Sequence, residues 1–194
     1  AEARARLCDP LAEVSAHWLI AEDGRAEQLV DERLRAWHAG AGSWGGVDDV
    51  NSRSIGIELA NDGQSPFAAP QMAALEGLLA ALMARWSIAP ERIIAHSDMA
   101  PDRKTDPGPR FDWRRLALGG LSVWPGTGGA ADDDFTLSLR RFGYPAAAPD
   151  QLLAAFRCRF RPWAQGPVSD EDRRMASDLA RRYPVLVDAD ARRA

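Results

Sequence analysis

The chain has 194 residues, 46% of them apolar and 27% charged, and a net charge of −4. That length accommodates one domain and a small second module. The balance of charge excludes a general electrostatic attraction to nucleic acid or anionic lipid, and without a run of about 18 apolar residues no membrane-spanning helix is expected.

The first residues, Ala1 to Leu11, are charged and Ala-rich and predict a helix that breaks at Asp9-Pro10. Val14 to Ala21 alternates in polarity and ends at the turn signal Asp23-Gly24, with Glu27 to Val30 as partner strand of a hairpin. His17 lies in the first strand beside Trp18, and a lone strand histidine is more often packed and hydrogen-bonded than a ligand. Arg35 to Gly46 is a Gly- and Trp-rich loop, whose Trp37 and Trp44 either stack on a ligand or cover a core edge.

Ser54 to Ala60, SIGIELA, reads as a strand. Its Gly56 suggests close approach of another group. Glu58 is a charge in an apolar strand, so it faces a cleft, has a partner, or lies on an exposed edge. Ala69 to Trp86 is a helix with Pro70 in its first turn. Met72, Leu75, Leu78, Leu79, Leu82 and Trp86 form its core stripe.

Ile93-Ile94-Ala95 reads as a buried strand, and the loop after it, HSDMAPDRKTDPGPRFDW, runs from His96 to Trp113. Pro101, Pro107, Gly108 and Pro109 are expected to exclude regular structure there. The loop has three readings: a polar surface loop, a metal-free His/Asp pair, or a zinc site built on His96 and Asp106. The spacing of nine residues between those two is not diagnostic.

A short helix follows over Trp113 to Leu118, and Gly126 to Ala131 reads as a flexible linker. Three further helices are expected: Phe135–Phe142, Pro149–Phe160, and one begun by Ser169 as N-cap. Met175, Leu179 and Tyr183 would be the inner face of the last. Arg157, Arg159 and Arg161 form a local basic cluster. Cys8 and Cys158 are too few for a disulfide framework or a Cys-type zinc site, and both read as free.

The wording of the loop is more specific than its spacing. Together with VSAHWLIAEDG (Val14 to Gly24), RAWHAGAGSW (Arg35 to Trp44) and NSRSIGIELAN (Asn51 to Asn61), it resembles the zinc-dependent N-acetylmuramoyl-L-alanine amidases of the type-2 amidase family. These are relatives of the peptidoglycan recognition proteins. The likeness covers roughly Leu7 to Pro125, with Ala95 where a Gly is usual. It implies an α/β fold with a mixed central β-sheet flanked by helices, and hydrolysis of the amide between N-acetylmuramic acid and L-alanine in peptidoglycan or its fragments.

By the same resemblance, His96 and Asp106 would ligate Zn²⁺, Glu58 would be the general base, and Lys104 would face the oxyanion. Trp37, His38, Asn51, Ser97 and His17 would line the substrate groove. The family's first zinc histidine lies on a strand upstream of the region matching Leu7, so residues 1–125 read as an N-terminally incomplete amidase domain. A muropeptide-binding relative without turnover is the alternative. Residues 126–131 would link it to a three-helix module over 132–194, whose LLAAFRCRFRP resembles a type-1 peptidoglycan-binding domain. Expected partners are peptidoglycan or muropeptides, with no nucleic acid and a monomeric state. The cell envelope is the expected location, with the cytoplasm as alternative.

Overall fold

Around the Asp23-Gly24 turn, Trp18–Ile20 (β1) pairs with Ala26–Gln28 (β2) in an antiparallel hairpin, and β1 pairs on its other side, in parallel, with Ile57–Leu59 (β3). The sheet order is β2-β1-β3, so β3 is an edge strand among the described residues. A computed structural model describes residues 2–185 of the chain; residues 186–194, the end of the expected C-terminal module, lie outside them.

Helices surround this small mixed sheet. Glu2–Leu7 (α1) precedes it, and Ala69–Trp86 (α2) packs on it through Met72, Leu75 and Leu79, which share one apolar cluster with Ile20, Ala95, Phe111 and Trp113. Gln71, buried in α2, donates to the carbonyls of Ile20 and Ala60 and so pins the helix to β1 and the end of β3. Trp86 does not complete the core stripe. It is 42% exposed, and its indole N–H donates to Glu32.

Two readings of the central loop are corrected. Ile93–Ala95 is extended but forms no strand, because no described strand lies beside it to complete a ladder. His96–Met99 (α3) is one helical turn, since the loop's prolines all fall after it. Trp113–Leu118 (α4) follows, capped by the Asp112 side chain on Arg115 N–H.

The remaining helices are Phe135–Phe142 (α5), Pro149–Phe160 (α6) and Asp170–Arg182 (α7). Their apolar faces do not form a separate core. Phe142, Phe156, Phe160 and Leu179 share one cluster with Ala39, Trp44, Met99 and Ala100. Residues 126–131 are not free either: Gly126 N–H donates to Asp178 and Ala130 N–H to Ser177, both on α7. The basic cluster is buried and paired, because its acidic partners return from distant positions. Arg159 meets Asp98, whereas Arg157 and Arg161 both meet Asp172. Both cysteines are free thiols.

Candidate active site

The edge of β3, the extended stretch at 93–95 and the loop that follows enclose a cleft of about 1720 Å³. Glu58, His96, Lys104 and Asp106 all line it. Loops leaving a packed scaffold are where side chains can converge without disturbing the core.

His96 opens α3, and its ring is fixed at both nitrogens. Nε2 lies 2.8 Å from the Ala39 carbonyl and Nδ1 lies 3.0 Å from Asp106 Oδ2. A carbonyl only accepts, so Nε2 carries the hydrogen. Nδ1 faces a carboxylate oxygen that also only accepts. Such a pair needs a shared proton or a cation between its members. The backbone supports it, with Ser97 N–H donating to the Asp106 carbonyl at 3.1 Å.

This donor set fits a metal. An imidazole nitrogen and a carboxylate oxygen are zinc ligands, and a carbonyl on the far ring nitrogen is the usual way a ligating histidine is oriented. The pair supplies two protein ligands. Among the described residues, no group of three or more His, Cys, Asp or Glu side chains could hold a metal ion.

Glu58 projects from β3 into the cleft. Burial raises its carboxyl above the ordinary range, the charge of Asp106 adds to this, and His96 and Lys104 oppose it. Burial would also raise Asp106, but the His96 hydrogen bond and charge, with a smaller contribution from Lys104, hold it below the ordinary range. The two carboxyl groups thus occupy one field and are pushed apart, as an acid/base partner and an anionic ligand need to be.

The residues expected along the groove divide into two groups. Trp37, His38 and Ser97 line the cleft. Trp37 is 57% exposed, and the Arg35 guanidinium lies 4.4 Å from its ring centre. His17 and Asn51 are buried in the scaffold behind them. His17 accepts from Gly56 N–H at Nδ1 and donates from Nε2 to the Leu34 carbonyl. Asn51 Oδ1 accepts from the N–H groups of His38 and Ala39. Asn51 thus orients the loop that carries His38 and the Ala39 carbonyl, while His17 ties Gly56 to Leu34 just before it. A Cβ at Gly56 would lie 2.2 Å from the His38 ring, which is the close approach that position requires.

Arg103 was not singled out from the sequence, although it adjoins Lys104 in the loop. Its guanidinium reaches the carbonyls of Ala39 and Ala41, so Ala39 O accepts from both Arg103 and His96. It ties the Trp-rich loop to the His96 loop.

The family described as N-acetylmuramoyl-L-alanine amidase matches residues 1–109. The N-acetylmuramoyl-L-alanine amidase AmiD of Escherichia coli is 36% identical over 210 residues, covering 88% of this chain and 75% of the relative. The 1,6-anhydro-N-acetylmuramyl-L-alanine amidase AmpD of Enterobacter cloacae is 43% identical over 103 residues, covering 53% of this chain and about half, 55%, of its own length. Among solved structures, the complex of Escherichia coli AmiD with the substrate anhydro-N-acetylmuramic acid-L-Ala-D-gamma-Glu-L-Lys superposes with a TM-score of 0.84 at 35% identity, covering 94% of this chain and 84% of that one. AMPDH3 of Pseudomonas aeruginosa in complex with anhydromuramic pentapeptide gives a TM-score of 0.82 at 29% identity, covering 95% of this chain and 87% of that one.

Proposed function

The chain belongs to the N-acetylmuramoyl-L-alanine amidase family, and from that premise we propose that Glu58, Lys104, His96 and Asp106 are the residues with which it works. The reaction is hydrolysis of the amide between N-acetylmuramic acid and L-alanine in peptidoglycan or its fragments, part of cell-wall turnover. The observation that carries the assignment is the convergence of these four side chains from β3 and one loop on a single cleft.

His96 Nδ1 and Asp106 Oδ2 would hold Zn²⁺, as two of the three protein ligands such a site uses. When bound, the ion supplies Lewis acidity to the scissile carbonyl and acidifies water. Glu58 takes a proton from the attacking water, for which its raised pKa suits it. As the carbon–nitrogen bond breaks, the same carboxyl returns the proton to the departing amine. The products are the lactyl carboxylate of the sugar and a stem peptide with a free L-alanine amino group. The Lys104 ammonium offsets the negative charge that develops on the carbonyl oxygen.

Trp37, exposed and braced by Arg35, offers a flat apolar face for the muramyl ring. The anhydro-muramyl peptides held by the structural relatives make that form the first substrate to test. No described helix is long and apolar enough to cross a membrane. The envelope is the proposed location and the cytoplasm the alternative, which cell fractionation separates.

The test is substitution. Glu58→Gln keeps the shape of the side chain and removes the base. It is expected to lower kcat by about 10²–10⁴-fold with little change in KM. Lys104→Ala is expected to raise the barrier by about 2.7–4 kcal/mol while leaving metal binding intact. Wild-type turnover in either variant would overturn that residue's role.

A further inference from the structure

The backbone leading into His96 is held by side chains where a strand would be held by a ladder. Ile93 (φ −85°, ψ 107°) and Ala95 (φ −88°, ψ 161°) are extended, with no strand partner among the described residues. Buried backbone polar groups need partners. The Ile93 carbonyl accepts from Arg159 at 2.9 Å, and Ala95 N–H donates to Asp98 Oδ2 at 2.8 Å.

Those two side chains are themselves joined. Asp98 is 0% exposed. Its Oδ2 also accepts from Arg159 at 2.5 Å, and its Oδ1 accepts from the Tyr144 hydroxyl at 2.5 Å. Arg159 further donates to Ser122 Oγ at 3.1 Å, and its guanidinium lies 4.2 Å from the centre of the Trp113 ring. Arg159 belongs to α6 and Tyr144 to the connection between α5 and α6. The C-terminal region therefore grips the chain directly at positions 93 and 98, on either side of His96, and reaches Ala95 N–H through Asp98.

We propose that Asp98, Arg159 and Tyr144 are positioning residues, through which helices α5 and α6 fix the orientation of the His96 ring toward Asp106 and the cleft. One helical turn cannot hold itself, because nucleating a helix costs more than a single turn returns. The orientation of α3 must come from what it packs against. A buried ion pair is a poor source of bulk stability, since apolar residues of similar volume often do as well. What an apolar pair cannot supply is the set of directed bonds to Ile93 O, Ala95 N–H and the Tyr144 hydroxyl. The helices on this account are part of the machinery of the cleft.

The inference rests on the reading of His96 as an active-site residue, and its test separates the two. In the full chain, long-range ¹⁵N–¹H NMR of the His96 imidazole reports its tautomer, melting reports stability, and kcat and KM are read on an anhydro-muramyl peptide with zinc present. Asp98→Asn keeps the volume and breaks the charge pair. Tyr144→Phe removes one hydroxyl and carries the test if Asp98→Asn does not fold. Arg159→Lys keeps the charge but cannot make all the directed bonds. In the wild type a single Nε2–H tautomer is expected. In the variants the tautomers mix and kcat falls about 10–100-fold at unchanged KM. A lowered melting temperature with an unchanged His96 signature and unchanged kcat overturns the proposal. If the wild type shows no turnover, the functional reading fails instead, and the His96 signature still decides the positioning.

Discussion

Glu58 and His38 both line the cleft, and its walls shift them in opposite directions. Burial, then the charge of Asp106, raises Glu58. A carboxyl whose folded pKa lies above its unfolded value favours folding at low pH and loses that contribution as pH rises through the folded value. Glu58→Gln is therefore expected to melt at a higher temperature than wild type at pH 7, with the gain vanishing below the ordinary value of 4.5. Wild-type activity should also fall on the acid side as Glu58 takes up its proton. For His38, burial above all pushes the imidazole down to about 4 from 6.5. Between those values the unfolded chain binds a proton that the folded chain does not, so stability falls as pH drops through that window. Across the window the loss approaches about 3 kcal/mol, and His38→Gln should flatten the slope in urea melts from pH 7 to pH 4.

Helices show which parts of the chain are legible from neighbours in sequence. The bounds of α2, α5 and α6 are readable in the sequence, because a proline start, an apolar period of 3.6 or a terminal glycine are local signals. Ser169 was legible as the cap of α7 for the same reason. It accepts from Asp172 N–H and closes a reciprocal box, so Ser169→Ala is expected to cost about 1 kcal/mol in chemical denaturation. Partners that arrive from far along the chain were not legible. Arg157, Arg159 and Arg161 read only as a local basic cluster, whereas they pair with Asp172 and Asp98 inside the protein. Burial would raise Asp172, but its bonds from Arg157, Ser169 and Arg161 outweigh this and lower it to about 2. That stability is present above the ordinary 3.8 and is lost as pH falls toward 2. Asp172→Ala takes a shared carboxylate from two buried arginines, leaving Arg161 with Glu171 and Arg157 with the carbonyls of Gly166 and Pro167, and is expected to cost about 3 kcal/mol at pH 7. The strand expected at 93–95 was misread because an apolar run signals burial, while strand formation also needs a neighbour.

At the level of the whole molecule, two apolar clusters meet at Trp124, which packs against both. One joins α2 to the sheet, and the other joins the Trp44 loop and α3 to the C-terminal helices. The cleft opens between β3 and the loop that α6 grips, so its walls come from segments widely separated in sequence. The motif words singled out the His96 loop and Glu58, which line the cleft. The strand position of His17 already favoured a packed, hydrogen-bonded residue, but nothing in the sequence revealed that Asn51 serves the scaffold, since its role depends on backbone N–H groups that carry no side-chain signature. The most direct test of the account is mass spectrometry of anhydro-N-acetylmuramyl-L-alanyl peptide incubated with the zinc-supplemented chain and with Glu58→Gln. The account predicts an intact stem peptide with a free L-alanine amino group from the wild type and almost none from the variant. Muropeptide that binds the wild type yet stays uncleaved would contradict it and leave a binding protein in place of an amidase.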